Sequence, residues 1–145
     1  MFKKILVPTD GSSLAAAAAK VAAQLAKSQG AQVVGVYVID PFPFIGIGDA
    51  SAVALQSYMT EAHRAATQAL DALGKLCEAE GTPFVGDTIE RNVVHEGIVE
   101  TATAEACDLI VMGSHGRQGV KAMILGSVAQ KVLAHAPVPV MIVKG

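Results

Sequence analysis

The sequence predicts an α/β fold: a three-layer α/β/α arrangement built on a five-stranded parallel sheet. Three observations predict it. Five short, β-branched runs alternate with helical patterns in the order β-α-β-α-β-α-β-α-β, the alternation that gives parallel strands joined by crossover helices. Two of the runs, Val33–Ile39 and Val138–Val143, are almost continuously apolar, as strands buried on both faces are. Hydrophobic residues make up 52% of the 145 residues and charged ones 17%, which excludes a disordered or solvating chain. At this length, a single domain over 1–145 is expected.

The elements follow in order. The first strand is Lys4–Val7. The Ala-rich stretch Ser13–Gln29 sets Leu14, Val21 and Leu25 on related faces, and Gly30 follows as a stop. Gln32–Ile39 is the second strand. The segment Pro41–Gly48 leaves it, and two prolines and two glycines forbid regular structure there. Its apolar Phe42, Phe44, Ile45 and Ile47 imply packing, either as padding on the core or a subunit contact, or as a lid over a ligand. A long helix over Ala50–Glu80 ends before Gly81, and Pro83–Ile89 is the third strand. Val94–Ala106 is helical, Leu109–Met112 the fourth strand, Ser127–His135 the last helix and Val138–Val143 the last strand.

Charge narrows the function. The formal net charge is −2, so no basic field exists to meet nucleic-acid phosphates or anionic lipid. No apolar run approaches the ~18 residues that span a bilayer, and the apolar start breaks at Pro8, too soon for a secretion signal. Cys77 and Cys107 have neither disulfide-framework nor zinc spacing, which fits a reducing cytoplasm.

The chemistry lies after the fourth strand, in Gly113-Ser114-His115-Gly116-Arg117-Gln118-Gly119 and then Gly126-Ser127. Glycines let the backbone approach a ligand, and successive free N–H groups form an anion-binding concavity. Ser127 opens a helix with Gln130 three residues on, which fits a capping box. A helix N-terminus suits phosphate. The same glycines would also serve a plain strand-to-helix turn. Neither a P-loop GxxxxGK[ST] nor a GxGxxG fingerprint occurs. His115 has no neighbours that sequence can assemble into a triad, and His63, His95 and His135 lack metal-ligand spacing. No catalytic residue and no metal ligand is therefore expected.

The spacing Gly113-x2-Gly116-x9-Gly126-Ser127 is similar to the G-2x-G-9x-G-[S/T] signature of the ATP-binding branch of the universal stress protein family. Ile5-Leu6-Val7-Pro8-Thr9-Asp10-Gly11-Ser12 resembles that family's first strand and loop, Val36–Ile39 its second strand, Asp108–Gly116 its fourth and Pro137–Val143 its last. The resemblance implies a Rossmann-like sheet of order 3-2-1-4-5, as in the adenine nucleotide α-hydrolase-like folds. It implies that Pro8, Thr9 and Asp10 line the adenosine pocket, with the Asp10 carboxylate on ribose or on metal-bound water, and that Val38 meets adenine through its backbone. Met112, Gly113, Ser114, His115 and Gly116 would carry the loop beside ribose and phosphates, and Gly126, Ser127 and Val128 would hold the α- and β-phosphates. Arg117 would meet phosphate oxygens or stand as a solvated loop charge. One departure is Asn92-Val93-Val94, where many members carry Gly-x-Pro before the third helix.

What the resemblance implies is a cytoplasmic stress-response or regulatory protein that senses ATP, ADP or AMP, with or without Mg2+, for a protein partner that no residue identifies. A slow ATPase or nucleotide-processing enzyme on the same scaffold is the alternative. In the implied order the last strand is an edge. Val138–Val143 carries no charge before Lys144, so a homodimer through that edge is expected.

Overall fold

A computed structural model describes residues 1–41, 52–116 and 125–145. The elements are β1 (Lys4–Pro8), α1 (Ser13–Gln29), β2 (Gln32–Ile39), α2 (Ala52–Glu80), β3 (Phe84–Glu90), α3 (Val94–Ala104), β4 (Leu109–Gly113), α4 (Ser127–His135) and β5 (Val140–Val143). All strand pairs are parallel, in the order β3-β2-β1-β4-β5. The fold expected from the alternation, and the order expected from the resemblance, are both present.

Alternation along the central strands builds two cores. Ile5, Val7, Val33, Leu109 and Val111 face one way and pack with the alanines of α1 and with Leu73 and Cys77 of α2. Leu6, Val34, Val36, Ile110 and Met112 face the other way and meet Ile98 and Ala102 of α3 and Ala129 and Val132 of α4. The small side chains Ala18, Ala22, Ala23 and Ala26 are fully buried, so α1 lies close on the sheet. Burial lifts both thiols, Cys77 and Cys107, to a pKa of about 11. They are protonated, buried core groups.

Several boundaries differ from the sequence reading for local reasons. β5 starts at Val140 rather than Val138. Pro139 has no N–H to donate, although its carbonyl still accepts from the Ile110 N–H at 3.0 Å. Its apolar pattern reads as buried on both faces, yet Met141 is 38% exposed, because an edge strand has one neighbour. α3 stops at Ala104, since Ala106 turns left-handed at φ 55° and the Cys107 N–H reaches back to the Ala102 carbonyl at 2.8 Å. α1 ends as expected at Gly30, whose φ of 67° is free of strain only without a side chain. The Phe42–Gly48 part of the apolar segment, and the expected first residue of the second helix, Ala50, lie outside the described residues.

Candidate functional site

The sheet order reverses between β1 and β4, and ligands bind open α/β sheets at the carboxyl ends of the strands beside such a reversal. A cavity of about 750 Å3 lies there, within the range of small-molecule sites.

Its walls come from six places, one of them Ala15 in the first turn of α1. β1 and the turn after it supply Pro8, Thr9 and Asp10, and β2 supplies Val36, Tyr37 and Val38. β4 and its exit supply Met112, Gly113, His115 and Gly116. The first turns of α3 add Val94 and Ile98. Leu125 and the start of α4, Gly126 to Gln130, close the remaining side. One part is apolar, formed by Val36, Val38, Val94, Ile98 and Met112; the α4 part presents backbone N–H groups. Among the described residues, no Lys or Arg lines it. An anion there would be held by N–H groups and a helix dipole rather than by a cationic side chain. No group of three or more His, Cys, Asp or Glu among the described residues could hold a metal ion.

Local hydrogen bonds fix the rim. The Thr9 N–H donates to the Val36 carbonyl at 2.9 Å, tying the β1 exit to β2. The Ser12 N–H donates to Asp10 Oδ1 at 2.9 Å, which orients the carboxylate. Ser12 is the N-cap of α1, and its Oγ accepts from the Ala15 N–H at 3.2 Å. Asp10 therefore shapes the turn, and Ser12 does the capping.

The α4 start is built otherwise. Its N-cap is Gly126, extended at φ −62° and ψ 156°, with no side-chain cap. Ser127 is the first helical residue, so the expected capping box between Ser127 and Gln130 does not form. Instead Gln130 Nε2 donates to the Leu125 carbonyl at 2.6 Å. The Gly126 N–H donates to the Ser114 carbonyl at 2.7 Å, and the Ser114 N–H to the Val143 carbonyl at 3.0 Å. These bonds lash the α4 start to the ends of β4 and β5.

The three signature glycines are needed for different reasons. A Cβ on Gly113 would press on Leu14 Cγ at 3.0 Å, and one on Gly126 would sit 3.0 Å from the Ser114 carbonyl and 3.1 Å from His115 Cα. Both are glycine because protein packs against them. A Cβ on Gly116 would collide with Asp10 Oδ2, across the cavity floor. None of the three has a left-handed φ.

Of the residues expected from the sequence, Pro8, Thr9, Asp10, Val38, Met112, Gly113, His115, Gly116, Gly126, Ser127 and Val128 line this one cavity. Ser114 is 6% exposed and lies behind the wall, with its Oγ 3.3 Å from His115 Nδ1. Arg117 lies outside the described residues. Val94 and Ile98 were missed as cavity residues; their four-residue spacing on α3 was the available signal. Gln130 was read only as a capping partner.

The universal stress protein family model matches residues 1–144. The universal stress protein MJ0531 of Methanocaldococcus jannaschii is 38% identical over 144 residues, 99% of this chain and 83% of that protein. The solved structure of MJ0577, from the same archaeon, superposes with a TM-score of 0.84 at 30% identity, covering 100% of this chain and 97% of that one. The universal stress protein from Archaeoglobus fulgidus, solved in complex with dAMP, gives a TM-score of 0.66 at 25% identity, covering 97% of this chain and 96% of that one.

Proposed function

The chain belongs to the universal stress protein family, and from that premise we propose that it binds an adenine nucleotide, ATP in preference to forms with fewer phosphates. The observation that carries this reading is the α4 start. It opens on the cavity with no side-chain cap and no acidic residue in its first turn. Its N–H groups and dipole suit the α- and β-phosphates. Adenine would lie in the apolar part, against the Val38 backbone and between Val94 and Ile98, with ribose near Asp10 and Gly116. The dAMP complex of the Archaeoglobus fulgidus relative supports an adenine nucleotide as the class of ligand. A Mg2+ ion would arrive on the phosphates and meet one carboxylate of the cavity wall, that of Asp10.

The protein acts as a nucleotide sensor in the cytoplasm, not as a turnover enzyme. Among the described residues the cavity wall offers one carboxylate, a poor substitute for the base and metals that fast phosphoryl transfer uses. ATP hydrolysis well above a buffer blank, lost in Asp10→Ala, would favour the enzymatic reading instead. The working unit is a homodimer paired through β5, whose outer edge and partly exposed Met141 leave a strand to cover. Light scattering showing a monomer at tens of micromolar would refute the dimer.

Calorimetry with ATP, AMP, adenosine and NAD tests the function. Two charge-assisted N–H bonds are worth about 1.5–3 kcal/mol each, so ATP should bind at least about a hundredfold tighter than adenosine. Equal affinities would overturn the phosphate site.

A further inference from the structure

We propose that Gln130 is a positioning residue for the phosphate end of the cavity, acting through the Leu125–Gly126 peptide. The inference rests on the adenine-nucleotide reading and adds to it a residue that touches the backbone of the site.

The peptide between Leu125 and Gly126 is gripped at both ends. Its carbonyl oxygen accepts from Gln130 Nε2 at 2.6 Å. Its N–H donates to the Ser114 carbonyl at 2.7 Å. With both polar atoms held by separate elements, the peptide plane cannot rotate. The residue that follows the plane is Gly126, the N-cap, at φ −62° and ψ 156°. Glycine is the residue least able to hold such a conformation by itself. A Ser or Asp N-cap would fix it through its own side chain, but a Cβ at 126 would press on the Ser114 carbonyl and His115 Cα. The chain therefore fixes the N-cap from outside. The next carbonyl, that of Gly126, accepts from the Gln130 N–H at 3.0 Å and so points down the helix. The Ser127 N–H on the far side of that peptide then points off the helix start, where the cavity lies. Gln130 thus sets the direction of the donors that would meet phosphate, using its side chain on one peptide and its backbone on the next.

The test uses Gln130→Leu in the full chain. Losing one hydrogen bond of this kind is expected to weaken ATP binding by about threefold to tenfold, with adenosine affinity within twofold of wild type and the melting temperature unchanged. In the ligand-free variant the Gly126 and Ser127 amide resonances should move, because positioning precedes the ligand. Gln130→Met, which keeps the length and loses the donor without adding a charge, should act in the same direction. Weaker ATP binding with unmoved free-state amides would make Gln130 a direct ligand contact and overturn the inference. An equal loss for ATP and adenosine with a lower melting temperature would make its role purely structural and overturn it too. Wild type that ignores ATP removes the nucleotide reading and this inference with it; wild type that prefers ATP while Gln130→Leu keeps the full preference removes the inference alone.

Discussion

Helices α1 and α4 both begin at the rim of the same cavity, but they satisfy their first N–H groups in opposite ways. α1 closes on itself: Ser12 Oγ takes the Ala15 N–H, and the Ser12 N–H is used by Asp10. α4 has glycine at the N-cap and no side chain on its first turn of N–H groups. Its hydrogen bonds go backwards, to Ser114 and Leu125, and fix where the helix starts rather than what fills its end. α3, the third start beside the cavity, also lacks a side-chain cap, but it carries Glu96 in its first turn, which offsets the dipole and repels an anion. The difference teaches which helix start is reserved for a ligand. A self-capped end contributes stability to the free protein; an uncapped end held in place by its surroundings forgoes that stability and leaves its donors open, as the proposed phosphate site requires.

The largest effect expected is that of Gly116→Val. Its side chain would be driven against Asp10 Oδ2 on the cavity floor. ATP binding should fall more than about a hundredfold, from lost space and a displaced carboxylate. The cores of the sheet do not include Gly116, so the variant should remain folded. A folded Gly116→Val protein with wild-type ATP affinity would take Gly116 and Asp10 out of the site.

Ser12→Ala and Ser127→Ala then set the two helix starts against each other. Ser12→Ala removes a cap and should cost about 1 kcal/mol of stability, with nucleotide affinity unchanged. Ser127→Ala keeps the backbone N–H and removes the hydroxyl beside it; it should leave the melting temperature alone and weaken ATP by about threefold to tenfold, the value of one hydrogen bond from that hydroxyl to phosphate, while sparing adenosine. Denaturant melts and calorimetry on both variants decide the matter, and the comparison fails if the effects are interchanged. The smallest effect is that of salt. Raising ionic strength screens the helix dipole, so the preference for ATP over adenosine should shrink by a few fold between about 0.05 and 0.5 M salt.

Much of this was legible in the residues, because the strongest signals are local. Gly30 ends α1 and the apolar run over Gln32–Ile39 marks β2 at the residues expected. The spacing of Gly113, Gly116 and Gly126 gathers at one cavity. The misreadings come from contacts distant in sequence or from geometry that composition does not encode. Ser127 looks like an N-cap until Gly126 is fixed by the carbonyl of Ser114, twelve residues back. Gly113 lines the cavity, but the atom that demands glycine there belongs to Leu14 on a different element, which the spacing does not reveal. Val94 and Ile98 look like ordinary core residues of α3, and only the placement of α3 beside β2 exposes them to the cavity. β5 reads as fully buried because apolar content does not say whether a strand has a neighbour on both sides.

The central claim is that phosphate engages the start of α4 and not that of α1. Backbone amide spectra recorded while ATP, and separately adenosine, is titrated into the protein test it most directly. The account predicts shifts at Ser127 and Val128 that appear with ATP and are absent with adenosine, while Leu14 and Ala15 respond alike to both ligands. Phosphate-dependent shifts at Leu14 and Ala15, with Ser127 and Val128 unmoved, would contradict it.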